Sequence, residues 1–279
     1  MVKAIQIQHD ETFDAALRFA KNAGFQYVAL GFGSSRVFHV DGWEKEIGRI
    51  NSLLEEKGLI CIQTHLPYYD LKIDSSIIDP AFEKAIKRCI RATSFLGAKY
   101  AVLHLRSAFD RDFSTTLARE DNRRSVNDYI PVAKDSGIVI ALENLPIFPW
   151  DTSWRFYSHD YEELISFADS FESEAVRICW DFGHAHLTGI DQKRALSLIS
   201  NRLVCTHIHD NFKNNDHHLV PGIGTIKWEE ILPVLNEIGY KGPLTLEVEY
   251  KSIPGMESYI RHSYSALECL DRLIGGISE

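Results

Sequence analysis

The stretch from Leu203 to Gly224 gathers side chains that bind metals. Leu203–Cys205 is apolar and strand-like, and His207 and His209 follow at a spacing of two, so an extended chain puts them on one face. A polar loop then brings Asp216, His217 and His218, and Pro221-Gly222 closes it as a turn. Imidazole and carboxylate are the ligands of zinc, manganese and iron sites. Taken alone, the stretch also fits a histidine-rich surface loop, so the weight falls on where similar residues stand elsewhere.

They stand at strand ends. His65, His104, Glu143, Asp181, His207 and Glu247 each close a different short apolar segment, the third to the eighth of the chain. His184 follows three residues after Asp181, and Asp216 and His218 return from the seventh loop, which makes nine candidate ligands. Carboxylates converging on one point without compensation would be costly, and a divalent cation removes the conflict.

The elements that must position them follow from periodicity. Strands are expected at residues 2–8, 25–31, 59–64, 99–103, 138–142, 176–180, 203–206 and 244–246. Helices are expected at 12–22, 43–57, 80–96, about 122–136, 161–170, 191–201, 228–238 and 256–274, several stopped by glycine (Gly24, Gly58, Gly97, Gly137, Gly239). Eight strand–helix units in strict alternation, with strands apolar on both faces, point to a closed α/β (β/α)8 TIM barrel, a single domain over residues 1–279. An open doubly wound sheet would carry a glycine-rich turn after its first strand, where this chain has Gln8-His9-Asp10-Glu11. In a barrel, chemistry sits at the C-terminal ends of the strands, where these six residues fall.

Composition narrows the partners. The 279 residues carry 30 Lys and Arg against 39 Asp and Glu, a net charge of −9, which disfavours nucleic acid and anionic membranes. No apolar run approaches the roughly 20 residues of a membrane span, and residues 1–11 lack the layout of a signal peptide. The five cysteines are scattered and odd in number, as expected of buried thiols in a reducing cytoplasm. A homo-oligomer is left open.

The ordered set of pieces resembles the xylose isomerase-like TIM barrel superfamily, which holds sugar isomerases and epimerases and the endonuclease IV type of DNA-repair enzyme (AP endonuclease family 2). The pieces are Thr64-His65-Leu66-Pro67-Tyr68, Leu103-His104, Glu143-Asn144, Trp180-Asp181-Phe182-Gly183-His184, His207-Ile208-His209-Asp210, Asp216-His217-His218, Pro221-Gly222-Ile223-Gly224 and Leu246-Glu247. In the epimerase branch the resemblance implies one metal on Glu143, Asp181, His207 and Glu247. The two glutamates exchange protons with adjacent sugar carbons, and His184 holds substrate. In the endonuclease branch it implies three zinc ions on all nine candidates. Endonucleases of this type usually carry Pro-Gly after the fourth-strand histidine, where this chain has Leu105-Arg106. Epimerases often carry an arginine near the position of His218, so each branch is met only in part.

The expected activity is therefore a divalent-metal-dependent isomerase or epimerase of a sugar or sugar phosphate. The cation, zinc or manganese and one to three per chain, stabilises an enediolate while Glu143 and Glu247 act as base and acid. The alternative is a multi-zinc phosphodiesterase acting on abasic DNA. For substrate contacts, His184 and His209 stand beside the centre. Tyr68 and Trp150, with Tyr69 and Trp154, could stack on a sugar face. Arg106 and Lys213 could hold a phosphate or carboxylate, and the backbone of Pro221–Gly224 could offer N–H groups to an anion. On the alternative reading Arg36, Arg106 and Arg111 would meet phosphates.

Overall fold

Eight short aliphatic segments pair in parallel and in chain order, and the eighth closes onto the first. The computed structural model describes residues 1–33, 35–68, 79–107, 115–150, 156–250 and 255–275; Tyr69, Arg111 and Trp154 lie outside them. The strands are β1 (Lys3–Gln8), β2 (Tyr27–Gly31), β3 (Ile60–His65), β4 (Tyr100–Leu103), β5 (Val139–Glu143), β6 (Val176–Asp181), β7 (Leu203–Ile208) and β8 (Leu244–Leu246). Closure is direct: Lys3, Ala4 and Ile5 of β1 sit opposite Leu244, Thr245 and Leu246 of β8. The (β/α)8 barrel expected from the alternation is the fold observed.

The helices are α1 (Phe13–Ala23), α2 (Trp43–Lys57), α3 (Pro80–Phe95), α4 (Thr115–Ser136), α5 (Tyr161–Asp169), α6 (Phe182–Thr188), α7 (Gln192–Ile199), α8 (Trp228–Ile231), α9 (Pro233–Glu237) and α10 (Met256–Ile274). Their apolar stripes, such as Phe13, Leu17 and Ala20 in α1, pack on the outside of the strands. Carboxylates cap several of them. Asp79, Asp160, Asp181 and Asp191 each accept from a backbone N–H in the first turn of α3, α5, α6 and α7.

Three elements differ from expectation. Helix α4 starts at Thr115, about two turns earlier than its apolar pattern, and carries Pro131 inside it. The helix expected at 228–238 divides at Pro233, which lacks the N–H to continue the first piece. Helix α6, invisible as a pattern because it is only 7 residues long, is started by the Asp181 cap.

Two register shifts place the site. Between β2 and β3 the pairing slips by one residue after Val28, and Gly31 then faces His65. Between β6 and β7, Ile178 faces Leu203 but Cys179 faces Cys205, and the extra residue sets Asp181 opposite His207. Cys61, Cys89, Cys179 and Cys205 are buried free thiols as expected, whereas the free thiol of Cys269 on α10 is exposed. Burial pushes the Cys61 thiol up to about 12, so it stays protonated and inert. Among the described residues, no helix is long and apolar enough to cross a membrane.

Candidate metal centre at the barrel mouth

The barrel turns its strand ends into one point. Glu143 ends β5, Asp181 ends β6, His207 lies in β7 and Glu247 follows β8. One ligand atom from each lies within 4.8 Å of the others. His207 points Nδ1 at Oε1 of Glu143 and at Oε2 of Glu247, both at 3.0 Å. Asp181 uses Oδ1 to cap α6, accepting from the His184 N–H at 2.6 Å, while its buried Oδ2 has no hydrogen-bond partner among the described residues and faces His207 Nδ1 at 4.0 Å. An orphaned carboxylate oxygen aimed into a buried cluster fits a cation site. Asn144 locks this end of β6: it accepts from the Asp181 N–H and donates to the Asp181 carbonyl.

A second group shares Glu143. His104 Nε2 lies 3.1 Å and His65 Nε2 3.4 Å from Glu143 Oε2. His65 donates through Nδ1 to the Leu66 carbonyl, which leaves Nε2 bare toward the centre.

The third group is built on a loop and the short helix α6. His184 and His218 approach Oδ2 of Asp216 with Nε2 at 3.2 and 3.1 Å. Each donates through Nδ1 to a backbone carbonyl, Asn144 and Glu247 respectively. Such a bond fixes the ring and frees the other nitrogen for a ligand role. Asp210 shapes this loop. Its carboxylate, fully buried, accepts from the N–H groups of Asn211, Gly222 and Ile226 and from the Trp228 indole. The Gly222 N–H expected to meet an external anion thus meets an internal one. Backbone bonds between Asp210 and Leu219 hold His218 at a φ of 47°, a conformation that a side chain rarely adopts.

Charge compensation explains the ionisation. Burial would raise Glu143, but His207 and His104 beside it bring its carboxyl well below the usual range. Asp216 is likewise buried yet pulled down by His218 and His184. Burial would lower His218, and Asp216 instead lifts it to about 10. His104 goes the other way: burial outweighs the nearby Glu143, and its imidazole is neutral at lower pH than usual. Imidazolium and carboxylate thus balance each other in the positions where a cation and its ligands would stand. The mixed nitrogen and oxygen donor set fits zinc or manganese and makes magnesium a poor match.

A cavity of about 320 Å³ opens above the clusters. His65, His104, His184, Asp216, His218 and Glu247 form its floor; Leu145, Pro146, Phe148 and Phe156 make an apolar wall, with Gln8, Glu249 and Tyr250 among the other lining residues. Glu143, by contrast, is fully buried beneath His65 and His104. Tyr68 lines the cavity and stacks on His104 at 5.0 Å; it fits there because position 33 is glycine, where a Cβ would enter its ring.

The other expected contacts fall elsewhere. Trp150 packs on Phe148 at 5.0 Å but is 64% exposed and outside the cavity lining. Arg106 is buried in a separate small pocket beside Asn122, which brackets its backbone. Lys213 is exposed, its ammonium against Gly189. His209 is fully buried, with Nε2 3.1 Å from Asp181 Oδ1 and its ring stacked on His218 at 3.9 Å and 16°. Ligand lone pairs lie in the ring plane, so two nearly parallel rings do not converge on one ion. One ring nitrogen of His209 lies within 4.8 Å of ligand atoms of His184, Asp216 and His218, and the ring fills space that Gly183 leaves open: a Cβ there would enter it. Sequence reasoning passed over Gln6, which donates to Glu247, and Gln63, which touches His207. Both were visible as polar residues inside otherwise apolar strands.

Barrel, closure and strand-end cluster together define a TIM barrel whose mouth gathers side chains that could hold a metal ion. The chain belongs to the xylose isomerase-like TIM barrel family, whose model matches residues 17–269. It is 28% identical over 203 residues to an uncharacterised protein of Methanocaldococcus jannaschii, covering 70% of this chain and 66% of that one. It is 23% identical over 235 residues to a D-psicose 3-epimerase of Enterocloster bolteae, covering 80% and 72%. The matched region spans less than two thirds of the M. jannaschii relative and 60% of a relative from Sinorhizobium fredii. Among solved structures, a D-psicose 3-epimerase in the presence of D-fructose superposes with a TM-score of 0.77 at 17% identity, covering 99% of this chain and 100% of that one. An Escherichia coli 3-keto-D-glucoside 4-epimerase superposes at 0.74 and 18% identity, covering 96% and 99%.

Proposed function

We propose that this protein is a divalent-metal-dependent isomerase or epimerase of a sugar or sugar phosphate. The observation that carries the reading is the convergence of Glu143, Asp181, His207 and Glu247 within 4.8 Å beneath a sugar-sized cavity. The named relatives that act on psicose and related sugars support it. A cation held by those four residues would supply Lewis-acid stabilisation of charge developing on the substrate's oxygens. Glu247, on the cavity floor, takes the proton from the carbon beside the carbonyl, and Glu143, the second carboxylate of the pair, returns a proton to that carbon or its neighbour. His184, fixed by its bond to the Asn144 carbonyl, orients a hydroxyl, and the apolar wall excludes water from the face opposite.

The test is a panel of ketoses and aldoses in D2O with manganese, cobalt or zinc, read by proton NMR. Deuterium entering beside the carbonyl, with a new epimer or isomer, is the expected result. No exchange by protein shown to hold its ion would reject the reading.

A second reading, a phosphodiesterase of the endonuclease type, is favoured by one observation: all nine candidate ligands come together in linked groups. Elemental analysis giving two or three zinc ions per chain, with incision of an abasic duplex, would promote it. Absence of incision with zinc or manganese removes it.

A further inference from the structure

Gln63 lies in β3, two residues before His65, and is fully buried inside the barrel. Its Nε2 is placed 2.6 Å from Nε2 of His207, and its Oε1 accepts from the Thr245 hydroxyl at 3.3 Å. Thr245 faces His207 across the β7–β8 pairing, so the three form one buried unit. A buried amide is costly unless both arms are satisfied, which singles out this glutamine in a layer otherwise suited to aliphatic residues.

His207 turns its other nitrogen, Nδ1, toward Glu143 and Glu247. Imidazole offers a bare Nδ1 only when its proton is on Nε2, and in a buried layer that N–H needs an acceptor. An amide carries an acceptor on one arm and a donor on the other, and half a turn exchanges them. Turned over from its placed orientation, with the oxygen toward His207, the amide would accept from His207 Nε2–H through Oε1 and donate through its N–H to Thr245 Oγ1. The hydroxyl serves in either sense.

We infer that Gln63, backed by Thr245, is a positioning residue that fixes His207 in the form presenting Nδ1 to the cation centre. The inference rests on the metal reading proposed above. Glutamate at position 63 would keep the acceptor, whereas methionine of similar length would keep neither group.

The experiment measures zinc affinity of chelator-stripped protein by competition with a chromophoric chelator. Gln63→Met should bind about 10–100-fold more weakly than wild type, and Gln63→Glu within about threefold of it. Equal affinity of Gln63→Met and wild type overturns the inference and leaves the metal reading standing. A wild type that binds no zinc overturns both. Nitrogen-15 NMR of zinc-loaded wild type decides the matter should Gln63→Met not fold. Zinc on Nδ1 with the proton on Nε2 of His207 is expected, and zinc on Nε2 overturns the inference.

Discussion

The two sides of the barrel mouth are built differently. On one side, Glu143, Asp181 and His207 are parts of strands, and Glu247 follows one directly. Their positions are fixed by inter-strand hydrogen bonds, with Asp181 set opposite His207 by a register shift. On the other side, Asp216 and His218 sit on a loop held by the buried Asp210 carboxylate, and His184 on a helix of 7 residues. The first side inherits the stiffness of the sheet. The second is as firm as a handful of polar contacts, and it depends on glycine at position 183 to admit the ring of His209.

Substitutions can break this contrast, and the largest effect is expected on the strand side. Glu247→Gln should cut turnover on an identified sugar by about 10²–10⁴-fold while leaving the fold intact; full turnover would remove Glu247 from the chemistry. Asp210→Ala strips the acceptor from the Gly222, Ile226 and Trp228 donors. Unfolding by denaturant should show a loss of about 3 kcal/mol, given about 1–3 kcal/mol for each unsatisfied group and incomplete additivity. The same protein should lose any ion on Asp216 and His218 and keep any ion on the strand side. Loss of both ions would mean that the two sides are one unit. Gly183→Ala forces a methyl into the His209 ring and should cost about 1–3 kcal/mol by the same measurement.

The loop side also predicts a pH dependence for the metal-free protein. Asp216 raises His218 to about 10 in the fold, against about 6.5 for an unperturbed histidine. A raised histidine adds stability that is fully present below its unfolded value and lost as pH climbs through the folded one. Thermal melts of stripped protein should therefore fall between about pH 6.5 and 10, and His218→Ala should flatten that slope. The smallest effect belongs to Lys213→Ala. This exposed side chain stands outside the cavity lining, and stability should move by no more than about 0.5 kcal/mol.

Much of the fold was legible because strand and helix periods are written locally. The expected strands and helices match those observed to within a few residues, apart from α4, α6 and the break at Pro233. The residues at strand ends were legible for the same reason: once the barrel is granted, the end of each strand has one direction to face. The placements of Arg106 and Lys213 were not, since loops carry no period that says which way a side chain turns. His207 and His209 share the inward face that their spacing implies, yet one meets the glutamates and the other packs beneath α6.

The sequence by itself determined the alternation of elements, the barrel and the set of ligand types at one end of it, because each depends on backbone geometry over a few neighbouring residues. Only the tertiary structure decided which of these side chains meet and which ring nitrogen faces which neighbour. Those choices rest on contacts between residues far apart in the chain: Asn144 with His184, Glu247 with His218, Gln63 with His207. No local pattern encodes them, for they exist only after the eighth strand has closed on the first.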